Sequence, residues 1–202
     1  MPAIARDAIL ITMVAGTGSL FLVKDPRWVA SAPFFLFLLG GLFVASSALP
    51  GTALTLALTG AVVSSILWLS VYGLRSGRGQ RLFDETDWGL WGLGPVFRLS
   101  VLLMALAGVY GLTLTAPFVE LPFVPNALWY WLLAIGALLI SHPRYTVSAG
   151  VGLLLVHLGF YVAFSFLGGN SSYWFLALHS LVDITIALAV AYLAVPVTEA
   201  TG

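Results

Sequence analysis

The chain has no cysteine, which excludes disulfides, thiol catalysis, iron–sulfur ligation and thiolate zinc sites at once. Charge is scarce: 8% of the 202 residues are Asp, Glu, Lys or Arg, against about 25% in soluble domains. The net charge is zero, so no nucleic-acid or acidic partner is indicated. The only lysine is Lys24, in a loop between apolar stretches. A retinal Schiff base needs a lysine in the last helix, so a retinal protein is excluded on that residue. The segment 1–7 lacks a basic n-region and a cleavage site, so no signal peptide is expected and the first apolar stretch should stay in the mature protein. No loop has a phosphate-binding pattern. What the chain does have is hydrophobicity, at 60% of residues with a mean hydropathy of +1.05. It reads as an integral membrane protein.

A membrane helix needs about 20 mostly apolar residues. Seven stretches come close, at about 8–23, 28–48, 52–74, 97–117, 126–141, 146–167 and 173–194. Charge and proline at Lys24-Asp25-Pro26-Arg27 end the first, and Pro50-Gly51 makes the turn between the second and third. Pro117, Glu120, Pro122 and Pro125 bracket the connection after the fourth. Ser141-His142-Pro143-Arg144 and Gly168-Gly169-Asn170-Ser171-Ser172 separate the last three. The longest connection, Arg75 to about Val96, reads as a surface loop ending in an interfacial aromatic segment with Trp88 and Trp91, too short for a soluble domain. The expectation is an all-α integral membrane protein of about seven transmembrane helices.

With seven spans, one side carries Lys24, Arg27, Arg75, Arg78, Arg81 and Arg144, with Arg98 near the same surface, and the other carries only Arg6. That asymmetry predicts an outside N-terminus and a cytoplasmic C-terminus.

Asp183 is the only acid near the centre of a membrane-length stretch. A charge there costs roughly 2.5–3.5 kcal/mol on insertion scales, so the group must be protonated, paired or turned to a polar interior. His179 lies four residues earlier, on the same helical face. His157 falls in the middle of the sixth stretch, and adjacent helices could unite all three. One reading is a proton path of His157, His179 and Asp183, in which imidazoles titrating near neutrality join a buried carboxyl group. The other is a hydrogen-bonded contact holding helices together. Thr185, Ser180, Ser165, Ser148, Ser64 and Ser65 read as packing residues, whereas Thr59-Gly60-Ala61 could mark a helix irregularity. Gly40-Gly41 reads as a close helix contact. Trp28, Trp88, Trp91, Trp129, Trp131 and Trp174 read as an aromatic belt.

From Pro125 to Val195 the chain resembles the three-helix K-type membrane subunit of respiratory complex I. Ser141-His142-Pro143-Arg144 stands at that family's basic turn and Gly150-Val151-Gly152 at its Gly-Leu-Glu element. Asp183-Ile184-Thr185-Ile186-Ala187-Leu188-Ala189 matches its mid-membrane glutamate and the residues after it. Over its whole length the chain resembles component E of hydrogenase-4-type complexes, carried by Gly94-Pro95, the Pro117 to Pro125 connection and the aspartate of the last helix. The first three stretches are similar to the J-type subunit in Asp25-Pro26 and Thr59-Gly60-Ala61-Val62. The resemblance implies a four-helix module at 1–118, J-like in part, and a K-like module at 119–202.

It further implies a non-catalytic membrane-arm subunit of a complex I-like or group 4 hydrogenase-like assembly in a bacterial or archaeal cytoplasmic (cell inner) membrane. Such a subunit contributes to proton or sodium translocation coupled to electron transfer elsewhere. Its partners would be membrane lipid and other membrane subunits, an antiporter-like one among them, with no cofactor or metal of its own. One departure stands out: Gly152 occupies the position of the family's second glutamate and cannot titrate, so either His157, a little over one turn later, takes its place or this channel segment is inactive. Two rival readings are a haem- or chlorophyll-binding subunit using His157 and His179 as axial ligands, and a structural subunit in which Asp183 only bonds a partner helix. Inverted repeats, the mark of many independent transporters, are not apparent.

Overall fold

The computed structural model describes residues 3–23, 25–45, 51–73, 95–116, 121–141, 145–167 and 172–194. These form seven helices: α1 (Ala3–Leu22), α2 (Pro26–Val44), α3 (Thr52–Gly73), α4 (Pro95–Thr115), α5 (Phe123–Ser141), α6 (Thr146–Phe166) and α7 (Tyr173–Ala194). Six of them, α2 to α7, contain stretches long and apolar enough to cross a membrane, so the chain is a multi-pass, all-helical membrane protein. Lys24, Arg75, Arg78, Arg81 and Arg144, which carry the orientation argument, lie outside the described residues, as does the 75–94 part of the long connection.

Local chemistry sets the helix starts. Asp25 caps α2, its carboxylate accepting from Arg27 N–H at 2.9 Å, and Pro26 follows at the first helical position, where a missing N–H costs nothing. Gly51, with φ of +89°, takes a backbone conformation that favours glycine and opens directly into α3. Ser172 begins α7, its hydroxyl accepting from Phe175 N–H at 3.3 Å.

The helices pack in two rows. The first is α1–α2–α3 and the second α5–α6–α7, with α1 against α5, α2 against α6 and α3 against α7, while α4 lies against α1 and α5. Water is absent from the bilayer core, so close fit and internal hydrogen bonds replace hydrophobic driving force between helices. Small residues make the fit. A Cβ on Gly41 would lie 2.9 Å from Ala53 Cα, and one on Gly60 would lie 2.7 Å from Phe37 Cβ, so α2 and α3 meet nearly backbone to backbone. Gly60 is thus a contact residue within a continuous α3, and the helix irregularity considered at Thr59-Gly60-Ala61 is not there.

Hydroxyls and indoles complete the seams. Pro33 interrupts the hydrogen-bond ladder inside α2, and Phe34 N–H next to it donates across to Ser64 Oγ of α3 at 2.8 Å. Trp131 Nε1 of α5 donates to Thr17 Oγ1 of α1 at 2.7 Å. Trp129 and Trp131 are only 3% and 4% exposed, so these two belong to the interior and not to an aromatic belt. Trp28 and Trp174 remain exposed, while Trp88 and Trp91 lie outside the described residues. Arg98 is buried at the start of α4, and its Nη1 approaches Leu22 O at the end of α1 at 3.4 Å, where a cation suits the free carbonyls of a helix C-terminus.

Candidate functional site

α7 turns most of its surface outward. Its buried residues, Leu176, His179, Asp183, Ala187, Val190 and Ala194, recur every three or four positions and so form one stripe. Asp183 lies on that stripe because the helical period puts it there, one turn beyond His179. The stripe faces α3 and α6. On the α3 side, Thr59 Oγ1 donates to Ser180 Oγ at 2.9 Å. On the α6 side, a side chain at Gly150 would collide with Val190, so α6 and α7 approach closely below the site.

The structure unites all three sequence candidates. His157 Nδ1 of α6 lies 2.7 Å from Asp183 Oδ1, a short bond of the charge-assisted kind. His179 Nε2 lies 3.5 Å from the other carboxylate oxygen, Oδ2. The two imidazoles stack, with ring centroids 3.9 Å apart and planes 18° from parallel. Asp183 is 0% exposed and His179 nearly so, whereas the His157 side chain keeps 25% of its surface. His157 lines a cleft of about 370 Å³ between α6 and α7, together with Phe160, Tyr161, Phe164, Phe175, Leu178 and the edge of His179. Asp183 therefore sits between one enclosed imidazole and one that reaches the outer face.

Two imidazoles and a carboxylate, with ligand atoms within 4.8 Å of one another, are a donor set that transition metals accept. The stacking opposes this use. Nitrogen lone pairs lie in the ring planes, so face-to-face rings aim them side by side, and one ring would have to turn before both met one ion. The same geometry opposes bis-histidine haem ligation, which needs the two nitrogens to face each other from opposite sides of a macrocycle. What the arrangement can do as it stands is hold protons. Two stacked imidazoles cannot both be cationic without strong repulsion in a medium this poor in water, so the cluster accommodates at most one positive charge beside the carboxylate.

Gly152 is on another face of α6. A Cβ there would lie 2.7 Å from Gly136 O and 2.9 Å from Leu139 Cβ, both of α5. A carboxylate at this position has no room, and His157, which turns to α7, does not replace it. The position seals the α5–α6 seam.

Sequence reading passed over Tyr161 and Thr52. Tyr161, one turn beyond His157, is 1% exposed, with its ring 4.5 Å from that of His179. Its hydroxyl approaches Ser165 and Thr52 without completing a hydrogen bond to either. The i, i+4 spacing from His157 was the one signal available. Of the residues assigned to packing, Thr185 is spent on Leu181 O at 2.8 Å and Ser165 on Tyr161 O at 2.8 Å.

No protein-family model matches this chain, and no curated protein or solved structure matches it.

Proposed function

We propose that this chain is a membrane subunit whose His157–Asp183–His179 cluster takes up and passes on a proton near the middle of the bilayer. The observation that carries the reading is a fully buried carboxylate bonded at 2.7 Å to an imidazole that reaches the outer face, with a second, enclosed imidazole 3.5 Å away. Ionisable groups at such depth are costly and serve ion paths by default. Each imidazole can gain a proton at one nitrogen and release one at the other.

The wider setting follows from the resemblance. The chain is a non-catalytic membrane-arm subunit of a complex I-like or group 4 hydrogenase-like assembly, with about seven spans, an outside N-terminus and a cytoplasmic C-terminus. It works in a bacterial or archaeal cytoplasmic membrane beside an antiporter-like subunit, and the redox centres belong to other chains. Asp183 at the family's mid-membrane acid position supports this setting. The close packing at Gly152 supports a path that runs through histidines in place of a second carboxylate.

The test has two parts. Affinity purification of the chain from its own membranes in mild detergent should bring down a large antiporter-like subunit and redox subunits. Asp183→Asn in that assembly should suppress ion pumping while electron transfer continues at least in part. A chain that purifies alone overturns the setting, and normal pumping by Asp183→Asn overturns the relay.

A further inference from the structure

Among the described residues, Tyr161 Oη, His179 Nε2 and Asp183 Oδ2 are buried polar atoms with no completed hydrogen bond, and all three lie together where α6 crosses α7. Unsatisfied groups are rare in folded interiors, and three near one another call for an explanation. The surrounding hydroxyls show a direction. Thr52 is the first residue of α3, Ser165 is in the last turn of α6, and Tyr161 lies one turn deeper. All three are at most 2% exposed. His179 is six residues into α7, about 9 Å along the axis at 1.5 Å per residue, and Asp183 is about 15 Å in, near mid-bilayer.

We infer that Thr52, Ser165 and Tyr161 form a hydroxyl path that brings protons to the His179–Asp183–His157 cluster from the membrane face where α3 begins and α6 ends. This rests on the relay reading above and adds its access route. Each hop conserves protons. Tyr161, whose ring lies 4.5 Å from that of His179, passes its O–H proton to His179 Nδ1. It receives another from Thr52, or from Ser165 once that hydroxyl turns away from Tyr161 O, and the donor hydroxyl is reprotonated from water at the membrane face. His179 then releases the proton on Nε2 to Asp183 Oδ2, and Asp183 Oδ1 exchanges with His157 Nδ1. The opposite outlet is the His157 ring edge in the α6–α7 cleft. The cleft is lined mostly by apolar side chains, Phe160, Phe164, Phe175 and Leu178 among them, with Tyr161 and His179 at its edge, whereas Thr52 and Ser165 do not line it. Tyr161 is a positioning and relay group here, held by its ring against His179 and, at 6.0 Å, against Phe175.

The experiment is infrared spectroscopy of the full-length chain in lipid nanodiscs, following hydrogen–deuterium exchange of the cluster after mixing into deuterated buffer. The cluster's band is the one lost in Asp183→Asn. Tyr161→Phe removes one oxygen and keeps the ring, and it should slow exchange about tenfold, the rate cost of one missing hydrogen-bonded step. Thr52→Val should slow it in the same direction. Exchange at the wild-type rate in both variants overturns the hydroxyl route and leaves the relay standing, with access through the cleft. A spectrum unchanged by Asp183→Asn overturns the relay and the route together. Should Tyr161→Phe fail to fold, Thr52→Val and Ser165→Ala carry the same test.

Discussion

Replacing Asp183 by asparagine and by alanine should separate stability from proton transfer. Asparagine keeps the shape and one acceptor oxygen, so the 2.7 Å bond to His157 survives as a bond between neutral groups. Charge-assisted bonds are roughly twice as strong as neutral ones, and an ordinary bond contributes about 1 kcal/mol net, so Asp183→Asn should cost about 1 kcal/mol. Alanine removes both oxygens. It strands His157 Nδ1, takes away the carboxylate oxygen 3.5 Å from His179 Nε2 and leaves a void at the α6–α7 contact, and an unsatisfied buried group alone costs about 1–3 kcal/mol. Asp183→Ala should therefore cost roughly 3–5 kcal/mol, the range for breaking a buried pair by removing one partner. Denaturant unfolding in micelles, followed by tryptophan fluorescence, measures both. Proton uptake in sealed vesicles carrying the assembled complex measures the other quantity, and there the two variants should be equally inactive, since neither side chain can titrate. A wild-type pumping rate in Asp183→Asn would refute the relay. An Asp183→Ala cost below about 1 kcal/mol would refute the buried pairing itself.

Gly152→Ala should destabilise the chain by about 1–3 kcal/mol through overpacking, because the new Cβ meets Gly136 O at 2.7 Å; Gly152→Glu should cost more and restore no pumping, and a folded, active Gly152→Glu would show that the α5–α6 seam can open. Ser64→Ala should cost about 1–2 kcal/mol in the same unfolding assay, since Phe34 N–H beside Pro33 loses its 2.8 Å partner; a neutral result would mean that α2 repairs its own ladder. The absorption spectrum of the purified chain should lack a bis-imidazole haem signature, because the His157 and His179 rings stack at 3.9 Å; a Soret band lost in His157→Ala would show that the rings separate around a macrocycle.

Some of the site could be read directly from residue spacing. His179 and Asp183 are one helical turn apart on a single chain segment, so their shared face follows from the period of the helix alone. His157 is on a different segment, and its distance to Asp183 depends on the rotation of α6 about its own axis, which a nearly uniform run of apolar residues does not encode. The same blindness to rotation explains the tryptophans. Trp129 and Trp131 are near the start of an apolar segment, where a belt residue would be, yet their azimuth turns them into the bundle. Tyr161 and Thr52 have no charge to attract notice, and only the tertiary packing brings their hydroxyls near each other and the Tyr161 ring against that of His179.

Composition and hydropathy by themselves determined that the chain is an all-helical, multi-pass membrane protein, because a scarcity of charge and runs of about 20 apolar residues admit few other solutions. They also determined that Asp183 needs a partner, since the cost of an isolated charge in hydrocarbon does not depend on the fold. Only the tertiary structure decided who the partner is, which imidazole is enclosed and which reaches the outer face. It also decided that Gly152 is a contact point and not a vacated acid. Those are matters of helix rotation and of separations of a few tenths of an ångström between backbones, which arise from the packing of all seven helices at once.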